Sequence, residues 1–173
     1  MVIRVSALLL TLACVFYACA PDTRESITYE KGGFAVAFPG TPETQIKKLD
    51  GFGGEAYMTV LLCEESHSAY FVGYLDLPDE MLQDLDPIRF LKGGRDRALA
   101  RRQGRLRWER EIRLDGNPGI EFEADISQGD TAAVLRARNV LVGRRYFQVF
   151  GLAKSAEVSL TGVNRFLRSF ELK

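Results

Sequence analysis

The chain contains one histidine, His67, and that limits the chemistry it can hold. A Ser-His-acid triad would need His67 as its base, and a zinc site ordinarily needs further His or Cys ligands. His67 lies in Glu64-Glu65-Ser66-His67-Ser68, a polar stretch between two strand-like runs, so an exposed turn histidine is the expected state. Cys63 ends an apolar run and reads as a small buried hydrophobe rather than a nucleophile. Asp76, Asp79, Glu80, Asp84 and Asp86 offer the oxygen ligands calcium takes, without the glycine and terminal glutamate of an EF-hand loop. That run reads as a solvated loop leading into a helix cap. Gly32-Gly33 and Gly51-Phe52-Gly53-Gly54 match neither the P-loop nor the dinucleotide pattern, and read as tight turns. No catalytic set, metal site or cofactor is expected. An enzyme would need convergent carboxylates, such as Glu121 and Glu123 with a distant acid.

The richest pattern is basic. Residues 89 to 113 carry ten bases and three acids, whereas residues 21 to 88 carry thirteen acids and four bases. At helical spacing Arg95 and Arg102 fall within the stripe of Leu91 and Ala98. Arg110 shares the strand face of Leu106, Trp108 and Ile112. A charge on an apolar face needs a partner, a route for its stem to reach water, or a ligand. Two readings follow. The arginines snorkel or pair with the acidic first half; or Arg95, Arg102 and Arg110 form an anion or acidic-partner site, since guanidinium suits bidentate carboxylate and phosphate contacts. The formal net charge is zero, so no global field steers a partner. With no base-stacking motif either, nucleic acid is not an expected ligand.

The elements that must position these residues alternate between strands and helices. Phe34, Val36 and Phe38 have strand spacing, and Pro39-Gly40-Thr41-Pro42 stops that strand. Residues 43 to 49 read as a polar edge strand, and 55 to 63 and 69 to 75 as strongly β-forming segments. Asp86 then caps a helix with Pro87 at its first position. The interior pair Gly93-Gly94 costs about 1 kcal/mol each against alanine, which points to close packing on a sheet. Gly104 marks the end of this helix. Residues 105 to 114 alternate into the turn Asp115-Gly116-Asn117-Pro118-Gly119. Ile120, Phe122, Ala124 and Ile126 face inward on the next strand, with Glu121, Glu123 and Asp125 outward. Residues 132 to 142 and 145 to 152 form a hairpin about Gly143-Arg144, where glycine first suits a type II′ turn. Both faces of that hairpin are apolar, so both need cover. A last helix starts near Ser155 with the stripe Leu160, Val163, Phe166, Leu167 and Phe170.

The N-terminus reads as an export signal. Arg4 precedes an apolar stretch from 5 to 16, too short for a membrane span of about 20 residues. Ala18-Cys19-Ala20 fits a small-x-small cleavage site, but Pro21 follows it awkwardly. Phe16-Tyr17-Ala18-Cys19 resembles a bacterial lipobox, which would place a lipid on Cys19. Lipidation at Cys19 is the favoured reading, with soluble release or an uncleaved anchor as alternatives. Residues 1–19 are then leader, 20–27 a short tether and 28–173 one domain. Cys63 is the sole cysteine of that domain, so no internal disulfide framework exists.

Three stretches carry a family resemblance. Gly33-Phe34-Ala35-Val36-Ala37-Phe38-Pro39-Gly40-Thr41-Pro42 resembles the opening of small bacterial exported domains of unknown function. Asp115-Gly116-Asn117-Pro118-Gly119-Ile120-Glu121-Phe122 resembles their central turn and strand. Phe166-Leu167-Arg168-Ser169-Phe170-Glu171-Leu172 resembles their closing helix. Those domains are similar to the PsbP-like fold, shared by an extrinsic subunit of photosystem II and a Ran-binding nuclear transport protein. The resemblance covers about residues 27 to 173 and implies an α+β architecture: an antiparallel sheet of about six to eight strands between helices, an α/β/α sandwich. It implies no binding residue, because such relatives serve different tasks. The expected function is a non-enzymatic binding or docking module of the cell envelope. Its partner is expected to be an envelope protein, with the membrane reached through Cys19 if lipidated. The alternative is a small anionic or amphipathic ligand held on an Arg-rich helix/sheet surface.

Overall fold

The computed structural model describes residues 26–49, 55–128, 131–154 and 156–173. The leader with Cys19, most of the tether, the Gly51-Gly54 turn and the Ser155 cap lie outside the described residues. The strands are β1 (Ile27–Tyr29), β2 (Phe34–Val36), β3 (Glu43–Leu49), β4 (Ala56–Glu64), β5 (Ser68–Asp76), β6 (Arg105–Leu114), β7 (Asn117–Gln128), β8 (Thr131–Val142), β9 (Arg145–Ala153) and β10 (Glu171–Leu172). The helices are α1 (Asp79–Leu82), α2 (Pro87–Ala100) and α3 (Ala156–Ser169). One seven-stranded sheet runs β3-β4-β5-β9-β8-β7-β6, and a three-stranded sheet runs β1-β2-β10. Every neighbouring pair is antiparallel, which makes the fold α+β.

Local chemistry sets the registers. Gly143 has φ +56° and the hairpin pairs Val142 with Arg145 and Leu141 with Tyr146, so the II′ expectation holds. Asp115 and Gly116 have φ +49° and +81°, the signature of a type I′ turn, and they pair Leu114 with Asn117. These two turns pin β6 to β7 and β8 to β9, so each side chain's face is decided.

The large sheet is apolar on both sides at its centre. One face buries Leu75, Ile120, Phe122, Leu135 and Tyr146 under α2, through Leu91 and Leu99. The other buries Tyr70, Val72, Val140, Phe147 and Val149 under α3 and β2, through Val163, Phe166, Phe170, Phe34 and Val36. Cys63 belongs to this second core. His67 is exposed in the β4–β5 turn, where its carbonyl accepts the Lys154 N–H.

Helix α2 begins as expected: the Asp86 carboxylate accepts the Arg89 N–H. Its end differs. Gln103, not Gly104, takes the left-handed conformation at φ +50°, with bonds from Gln103 N to Ala100 O and Gly104 N to Leu99 O. That is a Schellman closure. Gly104 is small for another reason, since a Cβ there would lie 2.9 Å from Leu99 Cδ2. The two interior glycines also separate. At Gly94 a Cβ would lie 2.6 Å from Tyr146 Oη, whereas at Gly93 it would meet Arg97 Nη1 at an ordinary 3.7 Å. Gly93→Ala is therefore expected to stabilise by about 1 kcal/mol, and Gly94→Ala to destabilise by about 1–3 kcal/mol through overpacking. Urea midpoints of the two variants moving in the same direction would contradict this.

The closing helix also stops earlier than its resemblance implies. It ends at Ser169, whose hydroxyl donates to Phe166 O and accepts the Ala37 N–H at 3.0 Å. Glu171 and Leu172 then pair with Ala35 and Phe34.

Candidate functional site

The arginines picked out by spacing do not share a cleft. Arg95 lies on the α2 side of the sheet, paired with Glu109 and with Asp96. Arg102 is exposed at the end of α2. Arg110 lies on the opposite, α3 side, paired with Glu121 at 2.9 Å. Among the described residues, the acidic first half makes no ion pair with this segment either. Lys92, Arg95, Arg107 and Arg110 pair with Asp96, Glu109, Glu111, Glu121, Glu123 and Asp125. The strand order explains why: β3–β5 and β6 stand at opposite ends of the large sheet. Asp76 and Asp79 pair instead with Arg145 and Arg144. Among the described residues, no three His, Cys, Asp or Glu side chains gather as they would round a metal ion.

On the α3 side, strand register builds a site of its own. A bulge between Leu106 and Trp108 breaks the alternation of β6. Leu106 turns to the other face, opposite Ala124, and Trp108 comes opposite Glu123. This is how a bulge re-aims a side chain. Arg110 then stands opposite Glu121, and Glu121 and Glu123 stand opposite Arg138 and Arg136 of β8. Far from pointing into water, Glu121 and Glu123 are 9% and 6% exposed. Each is shared by two guanidiniums: Glu121 by Arg110 and Arg138, Glu123 by Arg107 and Arg136.

Helix α3 supplies the far wall. Arg136 also reaches the Asn164 side chain, and Arg138 donates to the Leu167 carbonyl at 2.7 Å. The result is an open groove of about 350 Å³ with Trp108 at one side and Leu167 and Arg168 at the other. Arg110 and Arg136 flank the Trp108 ring at 6.0 and 5.9 Å from its centre, within reach of a cation–π contact. Four arginines line the groove and one carboxylate does, that of Glu121. Arg168 makes no ion pair among the described residues.

The electrostatics fit that excess of cations. Burial alone would raise the Glu123 carboxyl pKa, but hydrogen bonds from Arg136 and Arg107, with their charges, outweigh it and hold the group below its usual range. Asp125 is held low by its hydrogen bond to Arg107. Both therefore stay charged at neutral pH; Glu123 holds Arg136, which lines the groove, and Asp125 holds Arg107, which does not. Chemically the groove can hold an oxyanion beside an aromatic face. Arg136, Arg138 and Arg168 were not singled out by sequence pattern. The available signal was Arg136-x-Arg138 in step with Glu121-x-Glu123, and it acquires meaning only through the β7–β8 register.

With both sheets and their helices placed, the fold can be compared with known ones. The chain is similar to the solution structure of cyanobacterial PsbP (CyanoP) from Synechocystis sp. PCC 6803. The TM-score is 0.55 at 17% identity, over 86% of this chain and 92% of that one. The chain has a PsbP-like fold. A protein of unknown function from Pseudomonas aeruginosa aligns at a TM-score of 0.41 and 10% identity, over 69% of this chain and 87% of that one. No family model matches, and no curated protein does. At 17% identity the PsbP-like likeness assigns architecture alone, so the role of the groove rests on its own chemistry.

Proposed function

We propose that the chain is an exported docking module that holds an acidic segment of an envelope protein in the Trp108 groove. The observation that carries this reading is the imbalance of the groove: four guanidiniums and one tryptophan line it, against a single lining carboxylate. Two further features support it. The exposed lining is mostly charged, with little apolar surface beyond Trp108 and Leu167, which suits acidic side chains better than an oily ligand. The leader, with Arg4 before an apolar run and Cys19 in a lipobox-like setting, supports delivery to the envelope and tethering there by a lipid. Among the described residues no helix is long and apolar enough to cross a membrane.

Trp108 is the only tryptophan, so its fluorescence reports on the groove directly. Titration with a glutamate-rich decapeptide is expected to change Trp108 emission saturably. The affinity should fall about tenfold in Arg110→Ala plus Arg168→Ala, and should weaken with added salt. A flat titration, or binding indifferent to both the substitutions and the salt, would reject the proposal.

A further inference from the structure

The opposite face of the large sheet holds a second cavity, under α2 and away from Trp108. It measures about 150 Å³, a size that admits a ring like benzene when the walls are apolar. Leu49 of β3, Met58 of β4 and Ala98 of α2 form its apolar walls. Tyr146 and Gln148 of β9 form its polar side, and Arg97 of α2 and Arg101, just past the helix end, line it as well.

Among the described residues, two buried donors lie at or beside this cavity without an acceptor, the Tyr146 hydroxyl in its lining and the Asn139 amide next to it. Gln148 Nε2 donates to Tyr146 Oη at 2.8 Å, so that oxygen already accepts one hydrogen bond. Its own proton has no acceptor among the described residues. Burial raises the Tyr146 pKa, which keeps the phenol protonated. Asn139 is 2% exposed, and its Nδ2 is buried with no hydrogen-bond partner. Tyr146 Oη and Asn139 Nδ2 both approach the gap left by Gly94, lying 2.6 and 4.0 Å from where a Cβ there would be. Arg97 lies close enough to Tyr146 to bear on its titration. Neither Arg97 nor Arg101 makes an ion pair among the described residues, although like charges four apart on a helix repel. No carboxylate lines the cavity. Orphaned donors and unneutralised cations beside an aliphatic wall describe the complement of one kind of molecule.

We propose that this cavity binds a small amphipathic monocarboxylate of about six carbons. The carboxylate accepts from Tyr146 Oη and Arg97, and the hydrocarbon lies against Met58, Leu49 and Ala98. An alcohol of equal length fills the same walls but cannot satisfy the cations.

Methionine methyl NMR on the purified full chain reads this directly, because Met58 lines the cavity and Met81 does not. Hexanoate is expected to shift the Met58 methyl saturably and leave Met81 unmoved. Hexanol should bind at least about tenfold more weakly, and Arg97→Gln should cost hexanoate about tenfold in affinity, as loss of a charged hydrogen bond does. Arg89→Gln, on the same helix away from the cavity, should change nothing. An unmoved Met58 methyl at saturating hexanoate, or equal binding of hexanol and hexanoate, would overturn the proposal. Trp108 emission should stay constant throughout, since the two sites lie on opposite faces. A response of Trp108 without one of Met58 would overturn this site and leave the groove reading standing.

Discussion

Phe34→Ala is expected to remove about 3–5 kcal/mol of stability, a large share of the 5–15 kcal/mol typical of a whole domain. The reason lies in where this ring sits. Phe34 is fully buried and packs on Tyr29, Phe170, Tyr74 and Phe147, at centroid distances of 5.0, 5.4, 5.7 and 5.9 Å. Those four rings come from β1, the chain just after α3, β5 and β9. Phe34 therefore joins the small sheet to the large one, and its loss leaves a hole bordered by elements that cannot all collapse inward. Phe34→Leu keeps most of the volume and should cost about 1–1.5 kcal/mol. Urea denaturation measures both. A loss below about 1 kcal/mol for Phe34→Ala would mean that the small sheet adds little to the cooperative fold.

Glu123→Gln is the second large effect, and it depends on pH. The substitution preserves shape but takes the shared anion from Arg107 and Arg136. Breaking a buried pair by removing one partner costs about 3–5 kcal/mol. Here the Arg107 and Arg136 side chains are 41% and 26% exposed and recover some hydration, so about 2 kcal/mol is expected at pH 7. The sign of the pH effect follows from the lowered carboxyl pKa. A group that holds its proton less tightly when folded stabilises the fold fully above its unfolded pKa, near 4.5. That contribution disappears as pH falls through the lowered folded value. Wild type should thus lose stability below about pH 4.5 more steeply than the variant, and the gap between them should close in acid. Thermal melts from pH 7 down to about pH 2 test this. A gap of constant size would show that packing, not charge, accounts for the loss.

Local chemistry made a good part of this fold legible. Asp86-Pro87 opens α2 because a capping carboxylate and a residue lacking N–H are what a helix start needs. Gly143 sets the β8–β9 register because few residues other than glycine enter a II′ turn without strain. Strands β1 and β10, of three and two residues, were not legible, since no periodicity can be read over so short a span. Plain alternation puts Leu106 on the face of Trp108; the bulge shifts it to the other face and leaves no mark in composition.

The groove was less legible than the fold, and for a different reason. Glu121 and Glu123 alternate with apolar neighbours, which in a lone strand means that they face water. They are covered because β6 and β8 bring arginines to either side, a fact of strand order rather than of local sequence. Spacing shows Arg95 as a charge in an apolar stripe, but its partner Glu109 lies on the other strand face from Arg110. Spacing along one element cannot tell which side of a sheet a neighbouring element presents.

The pairing of β2 with both β1 and β10 has a consequence for how the chain could be recut. Ile27 faces Val36 on one side of β2, and Leu172 faces Phe34 on the other. Two strand spacings and two residues of rise leave these ends about 12 Å apart. A few glycines and serines bridge that distance, so the order of the segments can be permuted by opening the Gly143-Arg144 hairpin instead. The same closeness means that a tag fused after Lys173 emerges beside Ile27, where the N-terminal segment enters the small sheet.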